Sequence, residues 1–248
     1  RLWQLRIQRC PDGEVSWVMT DSARIFKHPG MCQIEGVSLQ KGMNFLPLKD
    51  HSVLLMSRRK NAPYRDHVEA DGTLIYEGHD MSRSSENLEP KAVDQPQYLP
   101  SGKLTENGKF LSAVNRHKIG GGTRAVRVYE KLREGIWADN GIFELIDAWS
   151  EHDGRRQVFK FKLVLSENGE AASQRGFAES GPRSRTIPSA IKQEVWVRDG
   201  GKCRTCQASD ELHFDHILPY SKGGSSVLAE NVQLLCARHN LEKRDRIE

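Results

Sequence analysis

Two short spacings near the end of the chain can hold a metal, and a third can do chemistry. "CRTC" (203–206) is a C-x-x-C knuckle and "CARH" (236–239) is a C-x-x-H knuckle. Cys203, Cys206, Cys236 and His239 together make a complete tetrahedral set for Zn2+. Four protein ligands leave no open position, so the spacing predicts a structural zinc. Chance pairing of the cysteines is the bland alternative. Between the knuckles, "LHFDHILPYSKGG" (212–224) sets Asp215 beside His216 at the end of an apolar alternation, then turns through Pro and a Ser-Lys-Gly-Gly loop. A solvent-facing strand does not need that pair, and a core would not welcome it.

In combination, the Asp215-His216 pair, Asn231 and the "CxxHNxxK" ending at Lys243 resemble the HNH, or ββα-metal, nuclease family over about 185–246. The resemblance implies metal-dependent hydrolysis of a phosphodiester, the cation stabilising charge on the phosphorane and the leaving oxygen. His216 would be the general base, because imidazole titrates near neutrality. Asp215 projects from the other side of the strand, and with Asn240 it would hold a catalytic Mg2+ or Mn2+. Asn231 would hold the His216 ring in its working orientation.

His239 has two claimants, the zinc and the catalytic cation. Consecutive helical residues diverge by about 100°, so His239 and Asn240 cannot face one site. Cys236 needs a partner at knuckle spacing, which assigns His239 to zinc and Asn240 to catalysis. His213, on the Asp215 side of the strand, is expected at the surface or on a phosphate. Lys222, Lys243 and Arg244 are candidate phosphate contacts, which add affinity without reading sequence. A packed zinc ribbon with a solvated charged face is the alternative.

A second constellation lies upstream. "NAPYRDHVEADGTLIYEGHD" (61–80) and "GIWADNGIFELIDAWSEHDGRRQVFKFKL" (135–163) resemble the SRA fold, a reader of modified cytosine, over about 37–165. The resemblance implies base flipping, with the target nucleotide leaving the stack for a pocket. Tyr64 and Tyr76 would sandwich the base, and Asp66 would accept hydrogen bonds from its exocyclic amine. The family acid falls three residues after the first Tyr, where this chain has His67. Glu77 replaces a usual Thr beside the second Tyr. Both join the candidate pocket, and a modification bulkier than methyl is compatible with them. Ordinary barrel tyrosines beside a loop acid are the alternative.

These residues need a framework. The chain has 248 residues, 37% hydrophobic and 28% charged, enough for one large or two modest domains. No apolar run approaches a membrane span, and "RLWQLRIQRC" lacks the apolar core of a signal peptide, which predicts a soluble, cytoplasmic protein with no membrane partner. Five dispersed cysteines argue against a disulfide scaffold; Cys10 and Cys32 read as thiols. The net charge of +4 fits a nucleic-acid partner without establishing one.

Runs at 72–78, 123–132, 142–150 and 157–165 read as strands, with "RVYEKL" and "FKFKL" keeping one wet and one dry face. Helices are expected over 106–118 and 189–201. The fold class is therefore α+β. The strand pattern fits a twisted, mostly antiparallel sheet or barrel over residues 1–165. The resemblances imply an SRA/PUA-like twisted β-barrel with flanking helices there, a linker over 166–187, and a small zinc-stapled ββα-metal domain over 188–248.

The function this predicts is a modification-dependent, type IV-like restriction endonuclease. It would flip 5-methylcytosine or 5-hydroxymethylcytosine in double-stranded DNA and cut with a one-metal site, as a homodimer because each site cuts one strand. Two rivals stand beside it. One is a modified-DNA binding protein with an idle nuclease, the other an HNH enzyme with a different PUA-like sensor.

Overall fold

The computed structural model describes residues 23–59, 62–69, 71–83, 89–166, 186–244 and 246–247. Cys10 and nearly all of the expected 166–187 linker lie outside the described residues. In chain order the elements begin with β1 (Ala23–Lys27), α1 (His28–Glu35), β2 (Met43–Asn44), β3 (His51–Met56), β4 (His67–Val68) and β5 (Leu74–Glu77). They continue with α2 (Glu106–Lys118), β6 (Arg124–Arg133), β7 (Ile136–His152) and β8 (Gln157–Leu165). The last are α3 (Ser189–Arg198), β9 (Leu212–His216), β10 (Val232–Cys236) and α4 (Ala237–Lys243). The architecture is α+β.

The 17-residue β7 is the spine of a ten-stranded sheet. One edge pairs with β6 over its first part, from Arg133↔Ile136 to Arg124↔Leu145. The other edge is shared: β1 takes the start (Ile25↔Ala138) and β8 the remainder, from Phe143↔Leu165 to His152↔Gln157. Beyond β6 lie parallel β3 and then β2, while β5 and β4 continue outward from β8. Among the described residues this pairing forks and does not close on itself. Of the twisted sheet or barrel expected from sequence, the described residues form the open sheet.

Helix α2 covers one face. Thr105 caps it, its Oγ1 accepting from the Gly108 N–H at 3.2 Å, and Arg116, His117 and Lys118 sit in its last turn, where they complement the helix dipole. Phe110, Ala113 and Val114 pack against Leu54, Val126, Val128, Leu145 and Phe161. Each such large side chain contributes about 1.5–3 kcal/mol on burial. On the opposite face, Met31 of α1 packs with Leu39, Val53 and Tyr129. Because both faces are covered, "RVYEKL" does not keep the wet face its alternation predicts: Tyr129 and Glu130 are both buried.

The nuclease-like segment is not held by the 166–187 connection alone. Strand β1 pairs with β7 and also with β9 (Ala23↔Phe214, Arg24↔His213), so the two halves share one sheet. Leu132 and Ala138 from the first half join Ile187, Val195, Phe214, Val232 and Leu234 in a common core. Beside it, Lys192 of α3 donates to Glu130 of β6 at 2.8 Å and to Asn140 at 2.5 Å. Burial would push the Glu130 carboxyl up, but the Lys192 ammonium and hydrogen bonds outweigh it and hold it below the usual range.

Candidate functional site

The four knuckle residues converge. Cys206 Sγ lies 3.8 Å from Cys236 Sγ, while His239 Nδ1 lies 3.4 Å from Cys203 Sγ and 3.3 Å from Cys236 Sγ. All four ligand atoms fall within 4.8 Å of one another. A tetrahedral zinc at ordinary Zn–S distance spaces its sulfurs about 3.8 Å apart, so both the donors and their spacing fit a bound ion. Burial raises the Cys203 thiol, yet backbone N–H groups of Cys236, Cys206 and Thr205 bring it down to about 6, which favours the thiolate that a metal needs.

Strand alternation and one short helix then sort the remaining motif residues. Antiparallel β9 and β10 pair Asp215 with Gln233 and His216 with Val232. Asp215 and His213 share a side of β9, and α4 packs on it. Asn240 Nδ2 comes within 3.5 Å of His213 Nδ1, and Lys243 Nζ lies 3.1 Å from Asp215 Oδ2. Asn240 and Lys243 stand three apart on α4 and so face the strand together. His213 is half-buried rather than at the surface; burial, with Arg24 adding and Asp139 opposing, brings its imidazole down to about 4. His216 points the other way, is buried, and sets Nε2 3.1 Å from Ser226 Oγ.

Two sequence-based roles change here. Asn231 does not hold the His216 ring. Its Oδ1 accepts from the Leu218 N–H at 2.8 Å, and its Nδ2 donates to the Leu218 and Ser225 carbonyls at 3.1 and 3.0 Å. It staples the loop that follows the catalytic-type pair. Gly224 belongs to the same staple: a Cβ there would stand 1.7 Å from the Leu218 carbonyl oxygen and 2.9 Å from Asn231 Nδ2, so only glycine fits. Lys243 is the second correction. It is 2% exposed, ion-paired to Asp215 and donating to the His216 carbonyl at 2.7 Å, so its ammonium cannot reach a phosphate. Lys222 and Arg244 are exposed.

In the first half, Tyr64, Asp66 and Tyr76 line a single cavity of about 610 Å³ with His79, Gly42, Met56, Arg59 and Trp137. Tyr76 is a buried wall whose hydroxyl lies 3.3 Å from both the Leu55 carbonyl and His79 Nε2. Asp66 Oδ1 accepts from the Glu77 N–H at 3.0 Å. Burial, only partly offset by backbone N–H groups of Glu77 and Ser57, raises the Asp66 carboxyl to about 7. His67 and Glu77 do not line the cavity. His67 is exposed on β4, and Glu77 is buried in an ion pair with Lys160 at 2.9 Å, because successive strand residues point to opposite faces.

Residues 203–246 match the HNH endonuclease family. The HNH segment thus contains both knuckles, Asp215, His216, Asn231 and Asn240. No curated protein matches the chain. Among solved structures, the SUVH5 SRA domain in complex with hemi-methylated CG DNA is 20% identical with a TM-score of 0.39, covering 62% of this chain and 90% of that one. The SUVH5 SRA domain bound to fully hydroxymethylated CG DNA is 20% identical at a TM-score of 0.40, with the same coverage. Arabidopsis thaliana SUVH6 in complex with SAM is 16% identical at a TM-score of 0.39, covering 68% of this chain and 28% of that one.

Sequence reasoning missed three residues. Ser226, partner of His216, carries no motif of its own. Arg24 stands across from His213 only because β1 pairs with β9. His79 stacks on Tyr64 with ring centroids 5.3 Å apart and planes at 12°. A third aromatic three residues after Tyr76 was the available signal for it. Among the described residues no helix is long and apolar enough to cross a membrane.

Proposed function

We propose that the chain is a modification-dependent DNA endonuclease of the type IV-like restriction kind, in which the first half reads an extruded modified cytosine and the HNH segment cuts. The reading rests above all on the HNH-matched strand, which sends Asp215 and His216 to opposite sides and brings Asn240 to the Asp215 side. On the same sheet, a cavity combining tyrosines with a carboxyl suits a flat, hydrogen-bonding base.

Asp215 and Asn240 would hold Mg2+ or Mn2+, which when bound neutralises charge at the scissile phosphate. His216 takes the proton of the attacking water, with Ser226 fixing its ring. Lys222 and Arg244 track the backbone. Cys203, Cys206, Cys236 and His239 hold structural Zn2+. Each such site cuts one strand, so cleavage of both strands needs a homodimer or two copies assembled on DNA.

One observation favours a second reading, a modified-DNA binder with an idle nuclease: Asp215 is already paired with a buried ammonium. Digestion of 5-methylcytosine, 5-hydroxymethylcytosine and unmodified duplexes with Mg2+ or Mn2+, using wild type and His216→Ala, separates them. Cleavage of modified duplex by wild type alone supports the nuclease. Binding without cleavage by both proteins supports the idle form, and equal cleavage of all duplexes points to a different sensor.

A further inference from the structure

We propose that His79 occupies the base slot of the free protein and is a specificity-determining residue of the pocket, an inference that rests on the base-pocket reading above. Its imidazole contacts both tyrosines expected to sandwich the base. It stacks nearly parallel on Tyr64 at 5.3 Å. It meets Tyr76 at the hydroxyl end, the rings tilted by 38° with centroids 6.4 Å apart and Nε2 3.3 Å from the Tyr76 hydroxyl. The stack leaves no room for a further ring on that face of Tyr64. The Lys91 ammonium also lies over the Tyr64 ring, 4.4 Å from its centroid. A flipped base can therefore stack on Tyr64 from the cavity only by displacing His79.

The surroundings make His79 the group that moves. Tyr76 is 1% exposed and tied to the Leu55 carbonyl, so it is a fixed wall. The His79 backbone is clamped by one side chain, Asn107, which accepts from its N–H and donates to its carbonyl, both at 2.8 Å. The loop thus stays in place while the ring turns about its own Cα–Cβ bond. Gly42 leaves room for the ring: a Cβ there would stand 2.6 Å from His79 Nε2. Burial holds the imidazole neutral, at about 4, so near neutrality it is an uncharged aromatic of the shape a base replaces.

Displacing His79 gives up one ring stack and one hydrogen bond, and this loss falls only on the flipped mode. Duplex held by its phosphates alone never meets it. An extruded base stays only if its own contacts exceed those of the histidine, which sets a threshold on which bases are retained.

The test measures duplex affinity by fluorescence anisotropy for wild type, His79→Ala and His79→Gln, with thermal melts to establish folding. Both variants should bind modified duplex about tenfold more tightly, the factor expected for one stack plus one hydrogen bond. Their affinity for unmodified duplex should rise less, because that duplex is held mainly by its phosphates. The His79 ring-proton NMR signal of wild type, displaced by the Tyr64 ring current, should move when modified duplex is added. Unchanged or weaker binding of modified duplex by a folded variant, or an unmoved wild-type signal, overturns the inference while leaving the pocket reading in place. Absence of preference for modified duplex in wild type and variants alike overturns the pocket reading itself.

Discussion

Replacing Lys192 with alanine tests whether the two halves are one folded unit. The ammonium is 1% exposed, and its partner Glu130 carboxylate 2% exposed, at 2.8 Å. Removing it leaves a buried carboxylate with the Asn140 amide at 3.1 Å as a remaining donor. Breaking a buried pair in this way costs about 3–5 kcal/mol. For a chain of this size that corresponds to a drop in Tm of about 6–20 °C. The double variant Glu130→Leu/Lys192→Met removes both charges together and should recover most of the loss.

The sign of the pH dependence follows from the lowered Glu130 carboxyl. Its stabilisation is present above the ordinary carboxylate range and is lost as pH falls through the lower folded value. Lys192→Ala should therefore flatten the acid limb of the stability curve. Urea unfolding followed by tryptophan fluorescence and by far-UV circular dichroism would show one shared transition, shifted for both probes. A loss below about 1 kcal/mol, or a separate melt of the C-terminal half with the remainder unmoved, would refute a shared buried joint.

Cys203→Ala should abolish stoichiometric zinc, read by elemental analysis, and melt the C-terminal segment, since metal binding supplies folding energy there. Lys222→Ala should reduce the salt dependence of DNA binding by about one counterion with stability unchanged, whereas Lys243→Ala should lower Tm by stranding Asp215. Asp66 is protonated below about 7. As a neutral acid it can accept from the cytosine amine and donate to the ring nitrogen, so the ratio of modified to unmodified duplex affinity should fall as pH rises through that value. Asp66→Asn, which keeps a donor and an acceptor, should flatten that profile, and anisotropy titrations across the range measure both.

What could be read from sequence was what depends on local pattern. Helix α2 runs from Glu106 to Lys118 and β8 from Gln157 to Leu165, as periodicity predicts, because capping by Thr105 and alternation are local properties. What could not be read depends on long-range pairing. Nothing in "ARIFK" says that β1 will bridge β7 and β9, and without that bridge a composition-defined linker looks like a tether. The wet face assigned to "RVYEKL" failed for a related reason. Glu130 is a surface residue by type, and only the arrival of Lys192 from a helix sixty-two positions later makes its burial tolerable.

At the site, motif residues divided into those that can react and those that hold them, and residue type alone did not make the division. Asp215, His216 and Asn240 sit where strand and helix geometry put reactive groups. Asn231 and Lys243, equally marked by spacing, act on backbone carbonyls of the same strand and its following loop. Lys243 does both jobs at once, tying the His216 carbonyl to the Asp215 carboxylate. A divalent ion held as proposed by Asp215 and Asn240 would share that carboxylate with an ammonium already in place, which would weaken its hold unless a bound phosphate offset the repulsion. On that argument metal affinity rises with bound DNA. A strong catalytic-metal signal in the free protein, measured by calorimetry on wild type and found unchanged in Asp215→Ala, would place the ion elsewhere.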